Sequence, residues 1–132
     1  MSIQVQYYLY TDGACKGNPG KSSVGVVLYD ANMTEIATIS KKIGLGTNNE
    51  AEYKALLEGL ELCKEYNISL DKVIIRMDSL LVVNQILGKF KVHNERLHNL
   101  FTKVKSYGPL TIEHVYRTNN KRADELANNA MK

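Results

Sequence analysis

Four acidic residues, Asp12, Glu52, Asp78 and Asp124, stand where a carboxylate serves chemistry better than it serves folding. Asp12 and Asp78 close two predicted strands, and open α/β sheets bind ligands just outside the carboxyl ends of parallel strands. Glu52 falls within about 40° of Leu56, Gly59 and Cys63 at about 100° per residue of helix. It therefore shares the stripe that must face a sheet, although an ionised Glu is seldom buried without a partner. Glu50, Glu58 and Glu61 lie off that stripe and read as surface residues. Asp124 sits one turn before Ala127 and Asn128, beside the small apolar stripe Ala123, Ala127 and Ala130, while Glu125 points away. Carboxylates that converge repel one another until protons or cations neutralise them. With no His or Cys in the pattern, an oxygen-only site selects Mg²⁺ or Mn²⁺ over zinc. Two such ions about 4 Å apart can activate a water and stabilise the leaving oxygen of a phosphodiester. Asp78 also has a purely structural reading, because Asp ahead of Ser79-Leu80-Leu81 makes a good helix N-cap.

Residues 3–11, IQVQYYLYT, are rich in β-branched and aromatic side chains and predict a first strand. The segment Asp12 to Ser23, broken by Gly13, Gly17, Asn18, Pro19 and Gly20, predicts a turn-rich connection. Residues 24–30 and 34–43 predict two more strands around an Asp30-Ala31-Asn32 turn, in an antiparallel meander. The period then changes. Ala51, Ala55, Leu56, Leu60 and Cys63 recur at helical spacing and predict a helix from Glu50 to Tyr66. A strand at 72–77, a helix opened by Asp78-Ser79 and running to Gly88, and a helix at 93–107 ended by Gly108-Pro109 follow. A strand at 110–116 and a helix at 121–131 complete the order. The order β-β-β-α-β-α-α-β-α implies an α/β fold: a five-stranded mixed sheet with helices on both faces, in which strands joined through helices run parallel.

With 132 residues, 44% apolar and 23% charged, residues 1–132 are expected to form a single globular domain. Cys15 and Cys63 are too few for a disulfide framework and lack metal-site spacing. Met1 to Gln6 contains no cationic segment ahead of an apolar run, and no apolar stretch approaches the roughly 20 residues that span a bilayer. A cytoplasmic location is expected, which makes the sequons at Asn32 and Asn67 chance matches. The net charge of +3 permits a polyanionic partner without arguing for one. Basic residues gather between Lys89 and Arg122, a pattern that a solvated helix face explains equally well. Cys15 to Ser22, CKGNPGKS, ends like a phosphate-binding loop. Its first glycine is replaced by Cys15, Pro19 removes a backbone donor, and a strand follows where that motif needs a helix.

Four segments together resemble the type I ribonuclease H family, in its compact bacterial and archaeal form. They are Thr11-Asp12-Gly13-Ala14-Cys15-Lys16-Gly17-Asn18-Pro19-Gly20, Thr47-Asn48-Asn49-Glu50-Ala51-Glu52, Met77-Asp78-Ser79 and Asn120-Lys121-Arg122-Ala123-Asp124-Glu125-Leu126-Ala127. The resemblance implies a ribonuclease H-like fold and hydrolysis of the RNA strand of an RNA–DNA hybrid, leaving 5′-phosphate and 3′-hydroxyl ends. It implies two Mg²⁺ ions, with Mn²⁺ as a substitute, held by Asp12, Glu52, Asp78 and Asp124. Gly13, Ala14, Cys15, Asn18, Asn48 and Asn49 would face RNA 2′-hydroxyls, the group that tells RNA from DNA. Thr47 and Asn94 would grip a DNA-strand phosphate, although Thr47 or Asn48, and His93 or Asn94, could simply cap helices. Arg117 stands where many members carry a flexible-loop His that assists product release, whereas His114 falls within the last predicted strand. The chain departs from the larger members at Leu80 (often Gln), at Lys21-Ser22-Ser23 (usually glycines) and between Gly88 and Val92, where a basic, Trp-containing protrusion is missing. The expected partner is a hybrid, with no membrane, no small-molecule cofactor and a monomeric state, though the helices at 50–66 and 93–107 could equally serve a dimer. The alternative is a catalytically silent module that binds hybrids or RNA on the same fold.

Overall fold

The computed structural model describes residues 5–132, so the first two residues of the strand expected at 3–11 lie outside the described residues. The chain runs β1 (Tyr7–Gly17), β2 (Gly20–Asp30), β3 (Glu35–Gly46), α1 (Asn48–Glu65), β4 (Val73–Met77), α2 (Leu80–Ile86), α3 (Glu95–Lys105), β5 (Thr111–His114) and α4 (Lys121–Ala130), with short 3₁₀ turns at Leu70–Lys72 and Arg117–Asn119. The sheet order is β3-β2-β1-β4-β5. Strands β1 to β3 are antiparallel neighbours, and β4 pairs parallel with both β1 and β5. This is the mixed five-stranded sheet that the order of elements implies.

The segment Asp12 to Ser23 is not the turn-rich connection expected of it. Asp12 to Gly17 pair with Gly20 to Gly25, leaving only Asn18 and Pro19 outside the ladder. Two of the strand glycines are there because helices press on the strands. A Cβ on Gly13 would lie 2.4 Å from the Ala51 carbonyl carbon, and one on Gly25 would lie 2.0 Å from the Ala123 carbonyl oxygen.

Those two approaches also fix which helix covers which face. Successive residues of a strand point to opposite sides. Gly13 faces α1, whereas Asp12 lies opposite Gly25, which faces α4. On the α1 side Leu9, Val26, Leu28, Tyr53, Leu56, Leu60, Ile75 and Met77 form the main core together with side chains of α2 and α3. Each of these side chains contributes about 1.5–3 kcal/mol by leaving water. Tyr53 is the largest fully buried side chain, and its hydroxyl finds Gln85 Oε1 at 2.6 Å. On the other side α4 docks through Ala123, Leu126 and Ala127, and Ser23 and Ser40 donate hydroxyl hydrogen bonds to the carbonyls of Ala127 and Leu126.

Candidate active site

The parallel ladder between β1 and β4 ends at the pair Thr11 and Met77. One residue further along each strand, Asp12 and Asp78 emerge side by side. Asp78 does not cap the following helix, because Ser79 occupies the N-cap and its hydroxyl accepts from the Val82 N–H at 3.3 Å. Its structural reading therefore falls away, and its carboxylate is left for the site.

Glu52 reaches the same place from α1. Because Gly13 has no side chain, α1 approaches β1 closely enough for the Gly13 N–H to donate to Glu52 Oε1 at 2.5 Å. One carboxylate oxygen from each of Asp12, Glu52 and Asp78 lies within 4.8 Å of the others. Asp124, in the first turn of α4, stands outside that tightest trio but touches the Asp12 carboxyl and lines the same cleft. The cleft has a volume of about 420 Å³.

Electrostatics follow from burial and crowding. Asp12, 5% exposed, is pushed up to about 10 by desolvation, then by the charges of Glu52 and Asp78 and hydrogen bonding with Asp124 and Glu52. Burial also raises Glu52 to about 7, with the Gly13 N–H pulling the other way. Asp78 is raised by desolvation, opposed by the Asn120 amide and the Arg117 guanidinium. Among the described residues the cluster has a single ion pair, a long one of 3.5 Å between the exposed Arg117 and Asp124. An oxygen-only donor set that is partly buried and mutually repelling fits hard divalent cations.

Of the residues expected to contact substrate, Gly13, Ala14, Cys15 and Asn48 line the cleft. Asn18 braces its rim, its side-chain oxygen accepting from the Asn48 N–H at 3.0 Å. Thr47 and Asn94 are the N-caps of α1 and α3, accepting from Glu50 N and Leu97 N at 3.1 Å each. Asn49, half-buried in the first turn of α1, is not among the cleft residues. Glu50 corrects an expectation: it is buried rather than at the surface, because it closes a capping box with Thr47. His114 ends β5, as expected.

Two asparagines escaped the sequence reading. Asn120 is buried and donates its amide to the Thr11 carbonyl at 2.9 Å, pinning the start of α4 to β1 beside Asp78. Asn128 lines the cleft and donates to Asp124 Oδ1 at 3.1 Å. Their spacing was the available signal, since Asn120, Asp124 and Asn128 recur every four residues on one helix face.

The reverse transcriptase-like family model matches residues 10–130. Ribonuclease HI of Halobacterium salinarum is 36% identical over 128 residues, covering 94% of this chain and 63% of that protein. A bifunctional protein of Mycobacterium tuberculosis is 36% identical over 125 residues, 91% of this chain but 34% of its own length. This chain thus spans less than two thirds of both curated relatives. The solved structure of the Halobacterium RNase H1 superposes with a TM-score of 0.90 at 35% identity, covering 95% of this chain and 96% of that one. LC11-RNase H1, solved in complex with an RNA/DNA hybrid, superposes with a TM-score of 0.87 at 38% identity, covering 95% and 96%.

Proposed function

This chain belongs to the reverse transcriptase-like family, among ribonuclease H relatives, and we propose that it hydrolyses the RNA strand of RNA–DNA hybrids at its carboxylate cleft. The observation that carries the reading is the approach of Asp12, Glu52 and Asp78 to within 4.8 Å of one another in an open cleft. No packing requirement of the fold explains three acids held together at a cost. A solved relative, LC11-RNase H1, is seen with an RNA/DNA hybrid, which supports the choice of substrate.

In this reading Asp12, Glu52, Asp78 and Asp124 hold two Mg²⁺ or Mn²⁺ ions. Bound there, the ions supply Lewis acidity towards the scissile phosphate and the charge that the carboxylates lack. The protein's own contribution is placement. The Gly13 N–H fixes the Glu52 carboxylate, Asn128 fixes that of Asp124, and Asn120 ties the start of α4 to the strand that bears Asp12. Backbone and side chains at Gly13, Ala14, Cys15, Asn18, Asn48 and Asn49 face the RNA minor groove, where 2′-hydroxyls distinguish the strand to be cut. Thr47 and Asn94 hold a phosphate of the opposite strand with the polar capacity their capping leaves free. Arg117, exposed beside Asp124, helps the product leave. Residues 1–132 act as one such domain, as a monomer and without a small-molecule cofactor.

Incubation with a labelled hybrid, with single-stranded and all-DNA controls, tests this. Cleavage is expected of the hybrid only, with Mg²⁺ or Mn²⁺, and is expected to vanish with chelator. Asp78→Asn is expected to slow it on the order of 10³-fold or more through weaker transition-state stabilisation. Undiminished cutting by that variant removes Asp78 from the mechanism, and hybrid binding without cutting leaves the silent-binder alternative standing.

A further inference from the structure

A second cavity shares no lining residue with the carboxylate cleft but is built on the same two elements, β1 and the end of α4. Lys16, Lys21, Ser22, Lys42, Gly44, Leu45 and Met131 line a space of about 580 Å³ at the far end of the β1–β2 hairpin. Its lining carries three lysines and no acid. All three are exposed, and none lies within 4.0 Å of a carboxylate among the described residues.

The ladder explains how they meet. Ala14, Ser23 and Lys42 form one cross-strand row, and Lys16, Lys21 and Leu45 form the next, on the face that carries α4. Between the rows the register shifts in β3, with Gly44 at φ +86° and its carbonyl held by the Ser22 hydroxyl at 2.8 Å. That bulge turns the edge strand so that Lys42 joins the other two. Lys16 lies directly opposite Lys21, a like-charge pair that weakens a hairpin unless an anion sits between.

Both walls continue into the cleft. Strand β1 lines the cleft with Ala14 and the cavity with Lys16, while α4 lines the cleft with Asn128 and its C-cap, Met131, lines the cavity. Four residue steps along β1 carry the chain from Asp12 to Lys16, about 13 Å of strand, a distance that a strand seated in the cleft spans within a few nucleotides. We propose that Lys16, Lys21 and Lys42 bind the backbone phosphates of a nucleic-acid strand a few nucleotides from the scissile phosphate. The site rests on the nuclease reading for its register, and it offsets the charge of the carboxylate cleft at a distance that does not disturb the metal ligands.

The test replaces the three lysines with Ala, singly and together, with Lys103→Ala on α3 as control. Two hybrids are used, a long one that reaches the cavity and a short one that ends before it. On the long hybrid the triple variant is expected to raise KM roughly tenfold or more while kcat stays within about twofold. In an Asp78→Asn background, the slope of log affinity against log salt is expected to fall by about 0.9 for each phosphate no longer neutralised, up to about 2.7 if each lysine meets its own phosphate. The short hybrid and Lys103→Ala are expected to show neither effect. An unchanged slope and KM on the long hybrid, or equal losses on both hybrids, overturns the site. Failure of the unmodified protein to cut hybrid overturns the nuclease reading instead, and the salt slope still decides the lysines.

Discussion

At the scale of residues, the cleft is governed by which polar groups already have partners. Thr47, Ser79 and Asn94 are engaged as helix caps, each accepting a backbone N–H. That leaves Asp78, one residue before a cap, free of any capping duty, with the Asn120 amide beside its carboxyl. Glu52 and Asp124 are steadied by the Gly13 N–H and by Asn128 Nδ2. Arg117 differs from all of these. It is largely exposed, and its one ion pair, at 3.5 Å, is the kind that contributes about 0–1 kcal/mol. Arg117→Ala is therefore expected to leave the melting temperature nearly unchanged and to slow steady-state turnover of hybrid moderately, with metal affinity preserved. Calorimetric titration with Mn²⁺ beside multiple-turnover kinetics checks both parts. A collapse of metal affinity would show that Arg117 holds the cluster together rather than assisting release.

At the scale of elements, the site depends on how closely two helices approach the β1–β2 hairpin. Gly13 admits α1 and Gly25 admits α4, each by lacking a Cβ. In Gly25→Ala the new methyl would meet the Ala123 carbonyl at 2.0 Å and the Ala127 nitrogen at 2.5 Å, and both are backbone atoms. The helix has to back away, carrying Asp124 with it. A loss of about 2–3 kcal/mol in urea unfolding is expected, together with weaker metal binding by whatever remains folded. Gly46→Ala is the matched control, because its Cβ would approach Glu50 no closer than an ordinary 3.7 Å. Equal effects from the two substitutions would mean that close helix approach is not what positions Asp124.

At the scale of the whole molecule, stability is linked to the protonation of the cluster. Asp12 and Glu52 have folded-state values raised, to about 10 and about 7, above their ordinary 3.8 and 4.5. A raised carboxyl favours folding fully below its ordinary value, and that contribution is lost as pH climbs to the folded value. Metal-free protein is therefore expected to lose stability between about pH 4 and pH 7 through both residues, and on towards pH 10 through Asp12. Thermal melts in chelator at pH 5 and pH 8 check this, with a smaller drop expected in Asp12→Asn. Added Mg²⁺ is expected to restore the wild-type protein at pH 8, since a ligand that binds only the folded state stabilises it by mass action. Equal melting at both pH values in chelator would show that the carboxylates are not crowded in solution.

Legible in the sequence alone were most of the elements and the four acids that the structure brings to one cleft. Periodicity separates the antiparallel meander from the helices, and a carboxylate such as Glu52 on a core-facing stripe is anomalous wherever the helix packs. Local pattern misled at Gly13, Gly17 and Gly20, where glycine signals a loop to any reading of neighbours alone. Only the tertiary structure decided that Gly13 and Gly25 sit in strands under helices, because the atoms they make room for, in Ala51 and Ala123, lie 38 and 98 residues away. It likewise decided that Ser79 rather than Asp78 caps α2, that Glu50 is buried, and that Asn120 and Asn128 belong to the site. The reason is physical. Propensity and period act between residues a few positions apart, whereas the approach of carboxylates to within 4.8 Å is set by packing between segments dozens of residues apart.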